Sequence, residues 1–439
     1  MQGPTPLVVA IEMGYGHLRA AEPLAERLGT QLLHADRPPL ADDKEQKLWR
    51  EARYWYEFGS RLSQLPAVGK PLQLALDALT HIPPLYPYRD LSSPTASARA
   101  LEGFARRGLG ALLIDRMKST GEPLLTTFFT PAVLAARGGA ERIYCVVTDS
   151  DINRVWAPYD PAHAARIRYF TPSPRAGRRL RAYGVPEAQI TMTGFPLPHE
   201  LLGGDGSDAQ GGTLVAARRN LAARLVRLDP GRALRRSIEA ELERQLGPLP
   251  SAEEGRPPLI TFAVGGAGAQ VGLVSRFLPG LGPSLRAGHF RLSLIAGVRT
   301  EVRAALEEAV REARLSDCPH VSILFEPEHH AYFTRFHALL GETDILWTKP
   351  SEMTFFGALG LPLLLAPAMG VHEQYNARWA RECGAALKQR DLRFAAEWLT
   401  DWLTDGTLAA AAWNGWLRMP KRGLYRILDT VSHDHARAA

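Results

Sequence analysis

Residues 344–376 read DILWTKPSEMTFFGALGLPLLLAPAMGVHEQYN, and the order of apolar, small and polar residues in this stretch sets the reading of the whole chain. The apolar run Ile345–Thr348 predicts a buried strand ending in Lys349-Pro350-Ser351. Ser351 is a good N-cap for a following helix, Gly357, Ala358 and Gly360 let that helix pack closely, and Pro362–Ala366 predicts a second buried strand. A loop carrying His372, Glu373, Gln374 and Asn376 comes next. A helix N-terminus presents unpaired N–H groups and the positive end of its dipole, so residues 351–354 offer a phosphate a seat without a dedicated cation. A plain capped βαβ unit has the same outline, and other segments have to decide.

The chain has 439 residues, more than one ordinary core organises, and two large α/β domains fit that length. A hydrophobic content of 46% with 22% charged residues excludes a disordered chain. The formal net charge of +6 and pI near 9.3 suit anionic substrates or an anionic membrane face. Arg166, Arg168, Arg175, Arg178, Arg179 and Arg181 cluster locally and read mostly as a solvated helix face. No helix-turn-helix, zinc-finger or RNA-recognition pattern is present, so no nucleic-acid partner is expected. Cys145, Cys318 and Cys383 are isolated and indicate neither a disulfide framework nor a metal knuckle. The start passes directly into an apolar strand and no run reaches the length of a membrane span, so the expected location is the cytoplasm.

Along the chain, the strand Leu7–Ile11 leads through Gly14-Tyr15-Gly16-His17 into a helix over Leu18–Leu28. That turn lacks the third glycine of a dinucleotide fingerprint. Further buried strands are expected at Leu124–Thr127, Tyr144–Thr148, Arg168–Phe170 and Ile190–Thr193. Alternating strands and helices imply a parallel sheet covered on both faces. Residues 45–92 form an insert rich in aromatic and basic residues, among them Trp49, Tyr54, Trp55, Arg50 and Arg53. It reads as a helix pair packing its rings inward, with a lipid-facing surface as the alternative. Beyond it, Leu259–Val264 opens a second domain through the turn Gly265-Gly266-Ala267-Gly268, followed by the strands Leu292–Ala296 and His320–Phe325. The division is therefore 1–198, a linker and helical insert at 199–257, a second domain at 258–390 and C-terminal helices at 391–439.

Taken together, these pieces resemble glycosyltransferases of the GT-B fold, in particular the family 28 type that holds monogalactosyldiacylglycerol synthase and the peptidoglycan lipid-linked N-acetylglucosaminyltransferase. The resemblance rests on Gly14-x-Gly16-His17, Thr148-Asp149, Gly184-Val185-Pro186, Thr193-Gly194-Phe195-Pro196, Gly265-Gly266-x-Gly268, Gly297-x-Arg299, Lys349-Pro350, Thr354 and Gly370-x-x-Glu373-x-x-Asn376. It implies an α/β architecture of two Rossmann-like domains whose parallel sheets face a central cleft, with C-terminal helices returning toward the N-terminal domain. It also implies an inverting transfer of sugar from a nucleotide diphosphate sugar, a UDP-sugar in that family, to a hydroxyl acceptor. A lipid at the inner membrane face is among the acceptors it allows, with the enzyme peripheral there.

The resemblance places Gly265, Gly266, Gly268, Arg299, Phe325, Lys349, Ser351, Glu352, Thr354, His372, Glu373 and Asn376 on the donor, and Gly14, Gly16 and Gly194 on the acceptor side. His17 is the expected general base, since an ordinary imidazole is mostly neutral at pH 7. Asp149 is the second candidate, as base or as the group that orients His17. Neither a metal nor a cofactor is expected, and Asp149-Ser150-Asp151 is not read as a metal motif. Gly357 stands where the family usually carries the acidic residue that binds the nucleotide ribose, so either Glu352 takes over or the donor differs. A nucleotide-sugar 2-epimerase and a non-catalytic shell that binds a nucleotide or lipid stay open as alternatives.

Overall fold

The computed structural model describes residues 4–62, 82–87, 90–204, 213–251, 255–263 and 270–438, with backbone alone at 55–62 and 435–438. Its contacts divide the chain into two compact units. The first comprises Met1–Leu197, Met369–Asn376 and Arg422–Ala439, and the second Pro198–Ala368 and Ala377–Lys421.

The first unit is built on six parallel strands: β1 (Leu7–Ala10), β2 (Leu32–His34), β3 (Leu124–Thr126), β4 (Ile143–Val146), β5 (Ile167–Thr171) and β6 (Ile190–Met192), in the order β2-β1-β3-β4-β5-β6. Strands buried on both faces carry unbroken apolar runs, and β1 and β4 are buried at every position. β2 was not anticipated from the sequence. It is three residues long, half-buried and at the sheet edge, so it has no apolar run to announce it. The helix Asp43–Leu62 falls in the aromatic insert; it buries Trp49 and leaves Tyr54 exposed. Glu45 anchors it by accepting the N–H groups of Gly110 (3.0 Å) and Leu112 (2.8 Å), and burial pushes its carboxyl pKa up.

The second unit carries β7 (Leu259–Ala263), β8 (Arg291–Gly297), β9 (Val321–Phe325), β10 (Ile345–Thr348), β11 (Leu363–Leu365) and β12 (Ala386–Lys388), all parallel, in the order β12-β11-β10-β7-β8-β9. Trp347 on β10 is fully buried, stacked at 4.5 Å on Phe277, and its indole N–H donates to Gln389 at 2.9 Å. The edge strand β12, again three residues, escaped the sequence reading for the same reason as β2.

Of the C-terminal helices, Ala395–Thr404 and Thr407–Arg418 belong to the second unit, and Gly423–Ala438 alone returns to the first. There Asp434 accepts from Arg168 at 2.6 Å and from the Tyr144 hydroxyl at 3.3 Å. Among the described residues no helix is long and apolar enough to cross a membrane.

Candidate functional site

In open parallel sheets, ligands sit beyond the carboxyl ends of the strands where the strand order reverses. In the first unit that point lies between β1 and β3, and His17 occupies it. Gly14 turns the chain off β1 with φ +99°, a backbone conformation glycine adopts without strain, and His17 follows in the first turn of the helix Tyr15–Arg27. The His17 Nδ1 lies 2.8 Å from the carbonyl oxygen of Thr127, just past β3. A carbonyl can only accept, so Nδ1 carries the proton and the lone pair of the neutral ring resides on Nε2. Thr148 Oγ1 stands 3.3 Å from the same Nδ1, and the ring packs edge-on against Phe128 at 4.7 Å. Sequence reasoning named Thr148 only as part of the Thr148-Asp149 motif and did not connect it or Thr127 to His17. The signal available was a polar residue directly after an apolar strand.

Asp149 is held by Asn376. Its Oδ1 accepts from the Asn376 amide at 2.9 Å, while Asn376 Oδ1 accepts the Ser150 N–H at 2.8 Å. Asn376 is fully buried, and its side chain is taken up by the 149–150 loop of the first unit. The whole segment Met369–Asn376, read from sequence as part of the donor domain, packs with the first unit. Within it Glu373 accepts the Met369 N–H at 2.6 Å, closing the start of the helix Val371–Glu382. His372 is half-buried, and neither of its ring nitrogens, both shut off from solvent, has a hydrogen-bond partner.

In the arginine cluster Arg166, Arg178 and Arg181 are exposed, as a solvated face requires, and Arg179 is the departure. Arg179 is fully buried and holds Asp151 through Nε (2.8 Å) and Nη2 (2.9 Å), and Arg175 adds a third bond at 2.5 Å. The carboxylates of Asp149 and Asp151 thus serve different partners. Gly194 donates its N–H to Thr171 O at 3.1 Å, and its backbone lies against Gly423 at the start of the C-terminal helix. Gly16 sits inside the helix Tyr15–Arg27.

In the second unit the strand order reverses between β7 and β10, the arrangement of dinucleotide-binding sheets. Lys349 and Ser351 follow β10 at that point. Gly265, Gly266 and Gly268 come after β7 in the chain but lie outside the described residues. The helix expected from Ser351 is a 3-10 helix, Glu352–Leu359, buried throughout. Ser351 Oγ accepts from Met353 N at 3.5 Å, and the Thr354 hydroxyl donates to Ser351 O at 2.8 Å.

This 3-10 helix is closely packed. A Cβ on Gly357 would stand 2.8 Å from Met419 Sδ, and one on Gly415 would stand 2.3 Å from Gly357 O. Gly357 therefore faces the interior, and a carboxylate at this position would enter the core. The far end of the 3-10 helix is clamped by the buried Arg224, which donates to Leu359 O and Gly360 O at 3.0 Å and to Thr343 O at 2.9 Å. Burial lowers its pKa to about 10. Glu352 and Thr354 are buried beside these contacts.

Arg299 and Phe325 follow or end β8 and β9, on the same edge of the sheet. Arg299 is 46% exposed, 3.8 Å from Glu301, and Phe325 lies under the guanidinium of Arg303 at 5.2 Å. Gln270, not singled out from sequence, joins this edge: its Nε2 donates to Pro367 O at 2.9 Å, and its buried Oε1 has no partner.

Across its full length this arrangement is similar to the crystal structure of MurG from Acinetobacter baumannii, at 12% identity and a TM-score of 0.50, covering 98% of this chain and 100% of that one. The chain has the GT-B fold. Other GT-B-like matches include a glycosyltransferase from Rickettsia africae (11% identity, 100% of both chains, TM-score 0.44) and the UDP-GlcNAc 2-epimerase from Neisseria meningitidis bound to UDP-GlcNAc (12% identity, 83% and 89% covered, TM-score 0.42). No family model matches the sequence, and no curated protein matches it. At these identities the likeness is one of fold, and the GT-B chemistry has to be argued from the residues.

Proposed function

We propose that the protein is an inverting glycosyltransferase that moves a hexose from a nucleotide diphosphate sugar to an acceptor hydroxyl, without a metal ion. The observation that carries this reading is His17 at the reversal point of the first sheet, with its Nδ1 proton committed to Thr127 O and its basic lone pair on Nε2. In one displacement the acceptor oxygen bonds to the anomeric carbon, the bond from that carbon to the diphosphate breaks, and the acceptor proton passes to His17 Nε2.

The second unit supplies the donor side. Lys349 and the N–H groups at the start of Glu352–Leu359 meet the charge growing on the leaving diphosphate. The unpaired Oε1 of Gln270 is a further group of this unit that a ligand would satisfy. Metal-free transfer accords with Asp149 and Asp151, whose carboxylates are engaged by Asn376 and by arginines. Uridine is the first nucleotide to test, because the sequence resemblance implies it. The acceptor classes include a lipid at the inner membrane face.

The test begins with thermal shifts against uridine, guanosine, adenosine and thymidine diphosphates, since a ligand at 100 times its Kd stabilises by about 2.7 kcal/mol. Release of nucleotide diphosphate from the matching sugar donor, with the product anomer assigned by NMR, then decides the reaction. Binding with interconversion of the free sugar nucleotide would make the protein an epimerase, and no shift with any nucleotide would leave a non-catalytic shell.

A further inference from the structure

The first unit contains an apolar cavity of about 120 Å³, one ring removed from His17 and walled by Ile11, Met13, Trp49, Phe104, Phe128 and Phe129. Phe128 is the link, because the ring that lines this cavity is the one His17 packs against. The volume is that of a single ring: an engineered apolar cavity of about 150 Å³ takes up benzene. Paired acyl chains do not fit in it. Four aromatic side chains on the wall favour an aromatic occupant, which gains edge-to-face contacts that an alkyl group does not.

A buried polar atom on this wall says what the ring carries. Trp49 is 4% exposed, yet its indole Nε1, a donor only, has no hydrogen-bond partner. A second cavity, about 170 Å³ and more polar, shares Ile11, Trp49 and Arg53 with the first and adds Asp36, Arg37, Gln46 and Arg50. In it Asp36 Oδ1 is likewise buried without a partner. Native structures rarely leave such atoms unpaired, and the orphaned donor of Trp49, a residue common to both cavities, fits a ligand bearing a hydroxyl oxygen.

We propose that this cavity seats the aryl group of a hydroxylated aromatic acceptor, with Trp49 Nε1–H donating to an oxygen on the ring or next to it. The acceptor role rests on the transferase reading, but the binding itself does not.

Titration calorimetry on the full chain with 4-ethylphenol, ethylbenzene and dihexanoylphosphatidylcholine tests it, alongside uridine diphosphate. Wild type is expected to bind 4-ethylphenol at least about tenfold more tightly than ethylbenzene, and the lipid more weakly than either. Trp49→Phe keeps the ring but removes the donor, and should bring the two aryl probes within about threefold of each other. Ala52→Phe, which fills the cavity, should abolish binding of both while leaving the affinity for uridine diphosphate unchanged. No aryl binding by wild type, a preference for the phenol that survives Trp49→Phe, or tighter binding of the lipid would each overturn the proposal. Loss of uridine diphosphate binding alone would instead sink the transferase reading and leave the cavity assignment standing.

Discussion

His17 and Thr127, far apart in sequence, hold each other by two hydrogen bonds: Nδ1 of His17 to the Thr127 carbonyl at 2.8 Å, and the Thr127 hydroxyl to the His17 carbonyl at 2.9 Å. The pair ties the helix after β1 to the end of β3 across the point where the strand order reverses. It fixes the ring's position and its tautomer together, an orienting role that the sequence offered to Asp149 as one of two alternatives.

Replacing His17 with Ala should lower kcat by about 10² to 10⁴, the usual contribution of a general base, with the Kd for nucleotide unchanged. Thr127→Val keeps the carbonyl and removes only the returning hydroxyl, so the same assay should show a much smaller loss. Near-normal turnover by His17→Ala would remove it as the base.

Much of the fold was legible because parallel strands buried on both faces write themselves as apolar runs: β1, β4, β7 and β10 were found within a residue or two of their ends. The edge strands β2 and β12 were not: each is three residues long and has only two apolar residues before a polar one, Leu32-Leu33-His34 and Ala386-Leu387-Lys388. At the site the glycine turn pointed to His17, but its partners were hidden, because a backbone carbonyl leaves no trace in sequence. The same limit concealed Gly357. Its role is set by Met419 and Gly415, whose approach only packing reveals.

Asn376 was read as a donor ligand, and the structure commits its amide to Asp149 and Ser150. Asn376→Ala should therefore cost about 1–3 kcal/mol of stability, because the buried Ser150 N–H and the Asp149 carboxylate each lose a partner. Urea unfolding measures it. An unchanged midpoint together with lost nucleotide binding would return Asn376 to the donor.

Gly357→Glu tests whether the missing ribose carboxylate can be restored. A Cβ there already stands 2.8 Å from Met419 Sδ, 3.2 Å from Leu363 Cδ1 and 3.3 Å from Ala385 Cβ. Even Gly357→Ala is expected to cost about 1–3 kcal/mol by overpacking, and the Glu variant more. Calorimetry should show no gain in nucleotide affinity in either variant.

Asp151 and Arg179 are both fully buried, so each neutralises a charge the other could not leave in place. Asp151→Asn should destabilise by about 3–5 kcal/mol, the cost of stranding a buried guanidinium. Equilibrium unfolding checks this. A loss below 1 kcal/mol, in line with an exposed pair, would contradict the burial.

Lys421 supplies a pH test in the second unit. Its ammonium lies 4.5 Å above the Trp416 ring and donates to the carbonyls of Trp416 and Met419. Burial, with a smaller push from Arg218, lowers its pKa from 10.5 to about 8. Between those values the unfolded chain holds a proton that the folded chain has released. Stability therefore rises with pH across this window, and the benefit is lost as pH falls through 10.5 toward 8. Urea unfolding at pH 8 and pH 10.5 should show wild type gaining up to about 3 kcal/mol relative to Lys421→Met, whose side chain cannot titrate. Parallel curves for the two proteins would mean that Lys421 stays charged in the folded state, held by Trp416 and the two carbonyls.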